Sequence, residues 1–331
     1  MVTLDAIKDA QRRLRGIAAR TPLIRYYPPA SKERFASPEP ELYLKAESLQ
    51  PIGSFKLRGA HTKIASLTDE ERGRGVITYS SGNHGQGVAY AARGLGVKAV
   101  IVMPRTAPKV KVDSTAAIGA EIVFVGPSSD ERREKAEELS RQHGYCIVPP
   151  YDDACIIAGQ GTVGLEILED CPDVDLVLVP VGGGGLISGV ASALKLSGAA
   201  AKVVGVEPEL ANDAQQSFRS GRIVPLPAER VSSTLADGLR TQSVGKLNFE
   251  HITKYVDDIV TVTEDEIRIT VRRVIKDGRI VAEPSGAVAL AAALFHGDEL
   301  PASKKTVAIV SGGNIDPHLL AQIISEDSPA G

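Results

Sequence analysis

Short runs of β-branched and aliphatic residues recur along the chain, each followed by a stretch with helical spacing. Residues 76–80 (VITYS), 99–104 (AVIVMP), 121–126 (EIVFVG) and 145–149 (YCIVP) read as buried strands, being continuous apolar runs too short for helices. Between them lie GQGVAYAARGL, KVKVDSTAAI and DERREKAEELSRQH; the last has Ser128 and Ser129 as capping candidates, acids early and Gly144 at its end. Strands alternating with helices predict a parallel sheet, because parallel neighbours need crossover connections. A second series comprises 175–181 (DLVLVPV), 202–208 (KVVGVEP), 258–262 (DIVTV) and 306–313 (TVAIVSGG). Its helices are LISGVASALKLSG, a stretch near 212–220, TEDEIRITVRRVIKDG and PSGAVALAAALFHG, with Thr263 and Glu266 in capping-box spacing. The N-terminal MVTLDAIKDAQRRLRGIAAR alternates at helical spacing, 222–250 is less regular, and both ends are expected to fray, SEDSPAG into disorder. The proline-marked PPYDD near 150 separates two α/β units.

Composition narrows the class. Of 331 residues, 43% are hydrophobic and 24% charged, as in ordinary globular proteins. The 41 acidic against 38 basic residues, net -3, give no electrostatic case for a nucleic-acid or membrane-surface partner. No apolar stretch approaches the roughly 18 residues of a membrane span, and the N-terminus lacks a signal-peptide core. Cys146, Cys155 and Cys171 have neither a disulfide framework nor zinc-ligand spacing, which suits a reducing, cytoplasmic setting. Glycine alone stands out, with 32 residues clustered in short runs that mark backbone approaching something closely.

Five motifs could carry chemistry. In PIGSFKLRGA, Lys56 begins a helix, where cations are disfavoured; a surface lysine is the bland reading. Beside Phe55, an apolar wall would lower its pKa for Schiff-base work. In TYSSGNHGQG, Ser80, Ser81, Gly82, Asn83 and His84 lie at a strand-to-helix turn whose N–H groups suit a carboxylate or phosphate; a capped loop with a structural histidine is the alternative. In LVLVPVGGGGLISG, Gly182, Gly183, Gly184 and Gly185 join a buried strand to a helix, so several N–H groups can converge on a phosphate without Cβ interference, which a flexible linker does not explain. In VSGGN, Ser311 ends a strand. Glu207, Ala211 and Asp213 of GVEPELAND offer two carboxylates and a carbonyl to a hard cation, or form a solvated acidic loop. Gly94-x-Gly96-x-x-Ala99 runs from helix to strand, the reverse of a dinucleotide site. The P-loop lysine-serine/threonine ending is absent.

Together, Ser-Phe-Lys-x-Arg-Gly-Ala, Ser-Ser-Gly-Asn-His-Gly-Gln, the tetraglycine and the late Ser-Gly-Gly-Asn resemble the fold-type II pyridoxal-phosphate enzymes, in their serine/threonine dehydratase and serine racemase branch. The likeness covers about residues 15 to 320 with the motifs in family order. It implies two open, mainly parallel twisted sheets with helices on both faces, tryptophan-synthase-β-like. It also implies a large cofactor domain from 1–72 and 152–331, with a small mobile domain at 73–151. By the same resemblance Lys56 is the Schiff-base lysine, with Phe55 beside the cofactor. Gly182 to Gly185 cradle the phosphate, Asn83 bonds the phenolic oxygen and Ser311 faces the pyridine nitrogen. Residues 80–84 take the substrate carboxylate. Ser81 stands opposite the lysine as a second catalytic group. Glu207, Ala211 and Asp213 hold Mg²⁺, Mn²⁺ or Ca²⁺, and the assembly is a homodimer.

A neutral serine at the pyridine nitrogen makes a weaker electron sink than a carboxylate would, which favours expelling a β-substituent. The expected reaction is dehydration and deamination of L-threonine and L-serine to a 2-oxo acid and ammonia. Serine racemisation is the first alternative, since it needs an acid/base group on each face and Ser81 is present. Tyr151, where some animal serine racemases carry asparagine, leans toward dehydration; the acidic EPxxAxD loop leans toward racemase-like and hydroxyaspartate-dehydratase-like members. A cysteine-synthase-type enzyme is disfavoured by His84, where that branch has threonine. A non-catalytic phosphate-ligand binder is the alternative outside catalysis. With 20 residues after Ser311, no isoleucine feedback through a C-terminal regulatory domain is expected.

Overall fold

The structure, a computed structural model, describes residues 1–27, 40–80, 82–107, 109–126 and 129–326. Its first part runs α1 (Leu4–Arg13), β1 (Leu23–Tyr26), β2 (Glu41–Ala46), α2 (Lys56–Ala65) and α3 (Asp69–Arg74). Then follow β3 (Val76–Thr78), α4 (Asn83–Gly94), β4 (Ala99–Pro104), α5 (Lys109–Ala117), β5 (Glu121–Val125), α6 (Ser129–His143) and β6 (Cys146–Ile147). Next come α7 (Ala154–Asp170), β7 (Leu176–Pro180), α8 (Gly185–Leu196), β8 (Lys202–Pro208), α9 (Asp213–Ser220) and α10 (Ala228–Ser232). The chain closes with α11 (Lys246–Tyr255), β9 (Asp258–Val262), α12 (Glu264–Lys276), α13 (Pro284–Phe295), β10 (Lys305–Val310) and α14 (Pro317–Ser325).

Two sheets result. One has six strands in the order β1-β2-β10-β7-β8-β9, the other four in the order β5-β4-β3-β6. Every pairing is parallel except β1 with β2. Side chains alternate between faces, as strand geometry requires. Leu176 and Leu178 join the core under α12 and α13, while Val177 and Val179 join the core under α7 and α8. In the smaller sheet Ile101 and Met103 pack with α2 and α4, and Val100 and Val102 with Ala136 of α6. Burial on both faces is why these strands read as unbroken apolar runs rather than alternating ones.

The alternating α/β pattern is borne out, including the Thr263–Glu266 capping box and the end of α6 at Gly144, φ 72°. Gly94 closes a helix and Ala99 opens a strand, as the rejection of a dinucleotide site requires. Four readings differ. Strands β1 and β2 were not expected. Helix α7 was not foreseen either, because Ile156 to Ile167 are all buried and no polar face marks its period. Within 222–250, α10 forms and α11 begins. The N-terminus does not fray: Thr3 caps α1, and the buried Val2 N–H donates to His251 Nε2 at 2.9 Å. Of the capping candidates, Ser128 lies outside the described residues, as do 327–331 of the expected disordered tail. Among the described residues no helix is long and apolar enough to cross a membrane.

Candidate active site

Parallel strands deliver their carboxyl ends to one edge of a sheet, and ligands of open α/β sheets bind there. Ser311 follows β10, the tetraglycine follows β7, Glu207 lies at the end of β8, and Ser80 to His84 follow β3.

Lys56 reaches this edge by hydrogen bonding of its loop to the end of β10. Ser54 forms an antiparallel bridge with Gly312. The Phe55 N–H donates to the Ser311 carbonyl at 3.1 Å, and the Gly313 N–H to the Gly53 carbonyl at 2.9 Å. Lys56 then opens α2 with no side-chain cap. Its Nζ donates to the Pro150 carbonyl at 2.8 Å and lies 5.3 Å from the Phe55 ring centroid. Burial lowers its pKa to about 8, against an opposing pull from Glu283. A lysine held this way is a usable nucleophile and base near neutrality.

Asn83, first residue of α4, is fixed at both ends of its amide. Its Nδ2 donates to Glu283 Oε1 at 2.6 Å, and its Oδ1 accepts from Asn314 Nδ2 at 2.8 Å. Asn314 also donates to the Ile52 carbonyl at 2.8 Å. The Lys56 loop, the start of α4 and the end of β10 thus form one bonded cluster. Ser311 Oγ is buried, its nearest acceptor the Ser285 carbonyl at 3.5 Å. His84 is buried, and its Nε2–H donates to the Val148 carbonyl at 3.0 Å. Burial, with help from the Lys56 charge, lowers its pKa to about 3, so it is neutral in the working range. Ser80 Oγ accepts from the Gly82 N–H at 3.3 Å. Ser81 lies outside the described residues.

The glycine loop is buried throughout. Gly184 has φ 91°, a conformation L side chains rarely adopt. A Cβ on Gly183 would lie 2.2 Å from the Tyr151 ring. Tyr151 follows the residue that binds Lys56, so residues 150 and 151 join lysine and loop. Burial first, then nearby Tyr79, Asp213 and Asp152, push its phenol up to about 12. The Gly183 carbonyl is held from behind by the Gly245 N–H at 3.1 Å and Asn248 Nδ2 at 2.7 Å.

Glu207 and Asp213 are fully buried, so the solvated acidic loop does not form. Glu207 accepts the Ala214 and Gln215 N–H groups at 3.0 and 2.7 Å. Asp213 Oδ1 and Oδ2 have no hydrogen-bond partner; the Val244 amide and its own, though near enough to ease the charge, do not reach bonding geometry. Burial pushes Asp213 up to about 7; burial and Asp213 push Glu207 well up. Among the described residues no three His, Cys, Asp or Glu side chains cluster as a metal set, so a cation here would need backbone or water oxygens as well.

Sequence reasoning gave no role to Glu283, Asn314 or Asn248. Asn314 stood within the VSGGN motif, and Glu283 stands before Pro284, where it reads as an ordinary helix N-cap. Asn248 carries no signal.

A helix-opening lysine of lowered pKa, joined through residues 150 and 151 to a buried, Cβ-free glycine loop, defines a class of cofactor enzyme. Residues 14–312 match the model of that family, pyridoxal-phosphate dependent enzyme, and the chain belongs to it. It is 47% identical over 328 residues to the L-threonine ammonia-lyase of Thermotoga maritima, covering 98% of this chain and 79% of that protein. It is 40% identical over 329 residues to the L-threo-3-hydroxyaspartate ammonia-lyase of Saccharomyces cerevisiae, covering 99% of this chain and 98% of that one. Maize serine racemase superposes with a TM-score of 0.90 at 37% identity, over 97% of this chain and 96% of that structure.

Proposed function

We propose that this chain is a pyridoxal-phosphate-dependent ammonia-lyase converting L-threonine and L-serine to the 2-oxo acid and ammonia. The observation that carries the reading is the Lys56 amine, depressed to about 8 and bonded to the segment that packs on the glycine loop. When bound, pyridoxal phosphate would supply an electron sink for negative charge at the substrate Cα. Lys56 would hold the cofactor and, once released, take the Cα proton. Gly182 to Gly185 hold the phosphate through N–H groups that Cβ atoms would block. Asn83, immobilised by Glu283 and Asn314, would offer its remaining N–H to the phenolic oxygen. Ser311 leaves the pyridine nitrogen uncharged, and Phe55 walls the site. Ser80, Gly82, Asn83 and the neutral His84 line the carboxylate end, where the first turn of α4 lacks a side-chain cap.

Glu207, the Ala211 carbonyl and Asp213 take a divalent cation. The orphaned Asp213 oxygens support this, because a buried carboxylate without a partner is costly and a hard cation removes the cost. Residues 73–151 form a small domain that moves over a large one built from 1–72 and 152–331, and two copies pair as a homodimer. The free cysteines suit a cytoplasmic setting. Serine racemisation by Lys56 and Ser81 is the second reading, favoured by the close superposition on maize serine racemase.

Purified protein incubated with L-serine, D-serine, L-threonine and 3-hydroxyaspartate, with and without Mg²⁺, separates the readings if oxo acid and enantiomers are followed together. L-Threonine and L-serine should yield oxo acid faster than L-serine yields D-serine, and Lys56→Ala should abolish both. D-Serine as the main product would make the enzyme a racemase, and preferential consumption of 3-hydroxyaspartate would move the substrate class.

A further inference from the structure

Asp152 touches none of the residues assigned to cofactor or substrate, yet it sits where three of them are organised. The residue before it, Tyr151, packs on Gly183 and Gly185; the one before that accepts from Lys56 Nζ. The Asp152 side chain turns the other way, to the start of α11. Its Oδ2 accepts the Lys246 N–H at 3.1 Å. Its Oδ1 accepts those of Leu247 at 2.9 Å and Asn248 at 3.3 Å. These are the orphan donors of a helix N-terminus whose own N-cap, Gly245, has no side chain to offer. A cap normally comes from the adjacent residue; this one comes from 94 residues away. A Cβ at position 245 would lie 2.5 Å from Asp152 Oδ1, so the glycine is what lets the carboxylate in.

The capped turn holds the glycine loop. Gly245 N–H and Asn248 Nδ2 both donate to the Gly183 carbonyl. That carbonyl and the Gly184 N–H belong to one planar trans peptide and point in opposite directions. Fixing the carbonyl toward α11 therefore turns the Gly184 N–H away from α11, leaving it available to a ligand. We propose that Asp152 is a positioning residue for the phosphate cradle, acting through the first turn of α11 on the Gly183–Gly184 peptide. The inference rests on the reading of residues 182–185 as the phosphate site.

The test compares two aldehydes, pyridoxal phosphate and phosphate-free pyridoxal, titrated into apoprotein by the absorbance of their Lys56 adduct. The wild type should bind the phosphorylated form far more tightly. Asp152→Ala should raise the dissociation constant for pyridoxal phosphate by about tenfold, the scale of losing a cap, while pyridoxal binding stays within about twofold. Asp152→Asn, which keeps one acceptor oxygen but loses the second and the charge, should raise the constant for pyridoxal phosphate by about threefold and carries the test where the alanine variant does not fold. Thr263→Ala removes a cap elsewhere and should leave both constants alone. If Asp152→Ala and Asp152→Asn keep the wild-type preference for the phosphorylated aldehyde, or lose affinity for both aldehydes equally, the positioning role is wrong. If the wild type itself shows no preference, the phosphate reading fails first and the inference with it.

Discussion

Lys56 is tuned by two opposed effects, and the smaller can be removed by substitution. Burial pulls its pKa down to about 8, while the Glu283 carboxylate pulls it up. Glu283→Gln keeps the shape and a hydrogen-bond acceptor for Asn83 but loses the charge, so the Lys56 pKa should fall further. In apoprotein, the pH at which Lys56 becomes reactive to an amine-selective reagent should move below the wild-type value; an unchanged or raised midpoint would disprove the coupling. At Ser81, replacement by alanine should abolish serine racemisation while sparing most 2-oxo acid formation, checked by following both products from L-serine. The sequence singles out Lys56, Asn83, Ser311 and the glycines because each is a chemistry-bearing or Cβ-free residue next to the end of a strand or the start of a helix. It gives no role to Glu283 or Asn314, because what they do depends on partners 200 and 231 residues away. The same holds for Asp152 and Asn248, which meet only in the folded chain.

The element that carries Lys56 is anchored by charges that are almost wholly buried. Arg58, two residues along α2, donates to Glu47 Oε1 and Oε2 at 2.7 and 2.8 Å and to Glu166 Oε1 of α7 at 2.6 Å. Lys45 of β2 donates to the same Glu166 at 2.7 Å. Removing one partner of a buried pair leaves the other uncompensated, so Arg58→Ala should destabilise the protein by about 3–5 kcal/mol in urea unfolding. A cost under about 1 kcal/mol would mean that water enters the site. The pH dependence has a definite sign. Burial would raise the Glu47 pKa, but the Arg58 and Lys45 charges and hydrogen bonds outweigh it and hold it below 4.5. Its contribution is therefore fully present above the unfolded value and lost as pH falls through the folded one. The sequence gives little hint of this anchor. Helix α7 has no polar face by which its period could be read, and Glu166 is the single acid in its buried stretch from Ile156 to Ile167. The strands of β4 and β7 were readable for the opposite reason, since uninterrupted β-branched runs of that length have few other folds open to them.

At the scale of the molecule, two mainly parallel sheets turn the carboxyl ends of their parallel strands toward one cluster, and bonds such as Asn83 to Glu283 and Lys56 to Pro150 tie the segments of one to those of the other. The buried acids at the end of β8, with Asp213 near Tyr151, test whether a cation belongs to the fold. Without a cation, Asp213 is a cost: both its oxygens are buried and unbonded. Asp213→Asn should therefore leave the melting temperature of chelator-treated protein unchanged or higher, whereas a carboxylate that merely held the structure together would lower it when replaced. Added Mg²⁺, Mn²⁺ or Ca²⁺ should stabilise the wild type, by about 2.7 kcal/mol at a hundredfold excess over its dissociation constant, and should do nothing for Asp213→Asn. A wild type indifferent to all three ions, or a variant that still responds, would place the cation elsewhere or remove it. A single substitution is thus expected to keep or raise stability in one condition and to abolish a gain in the other, a pairing that loss of packing does not produce.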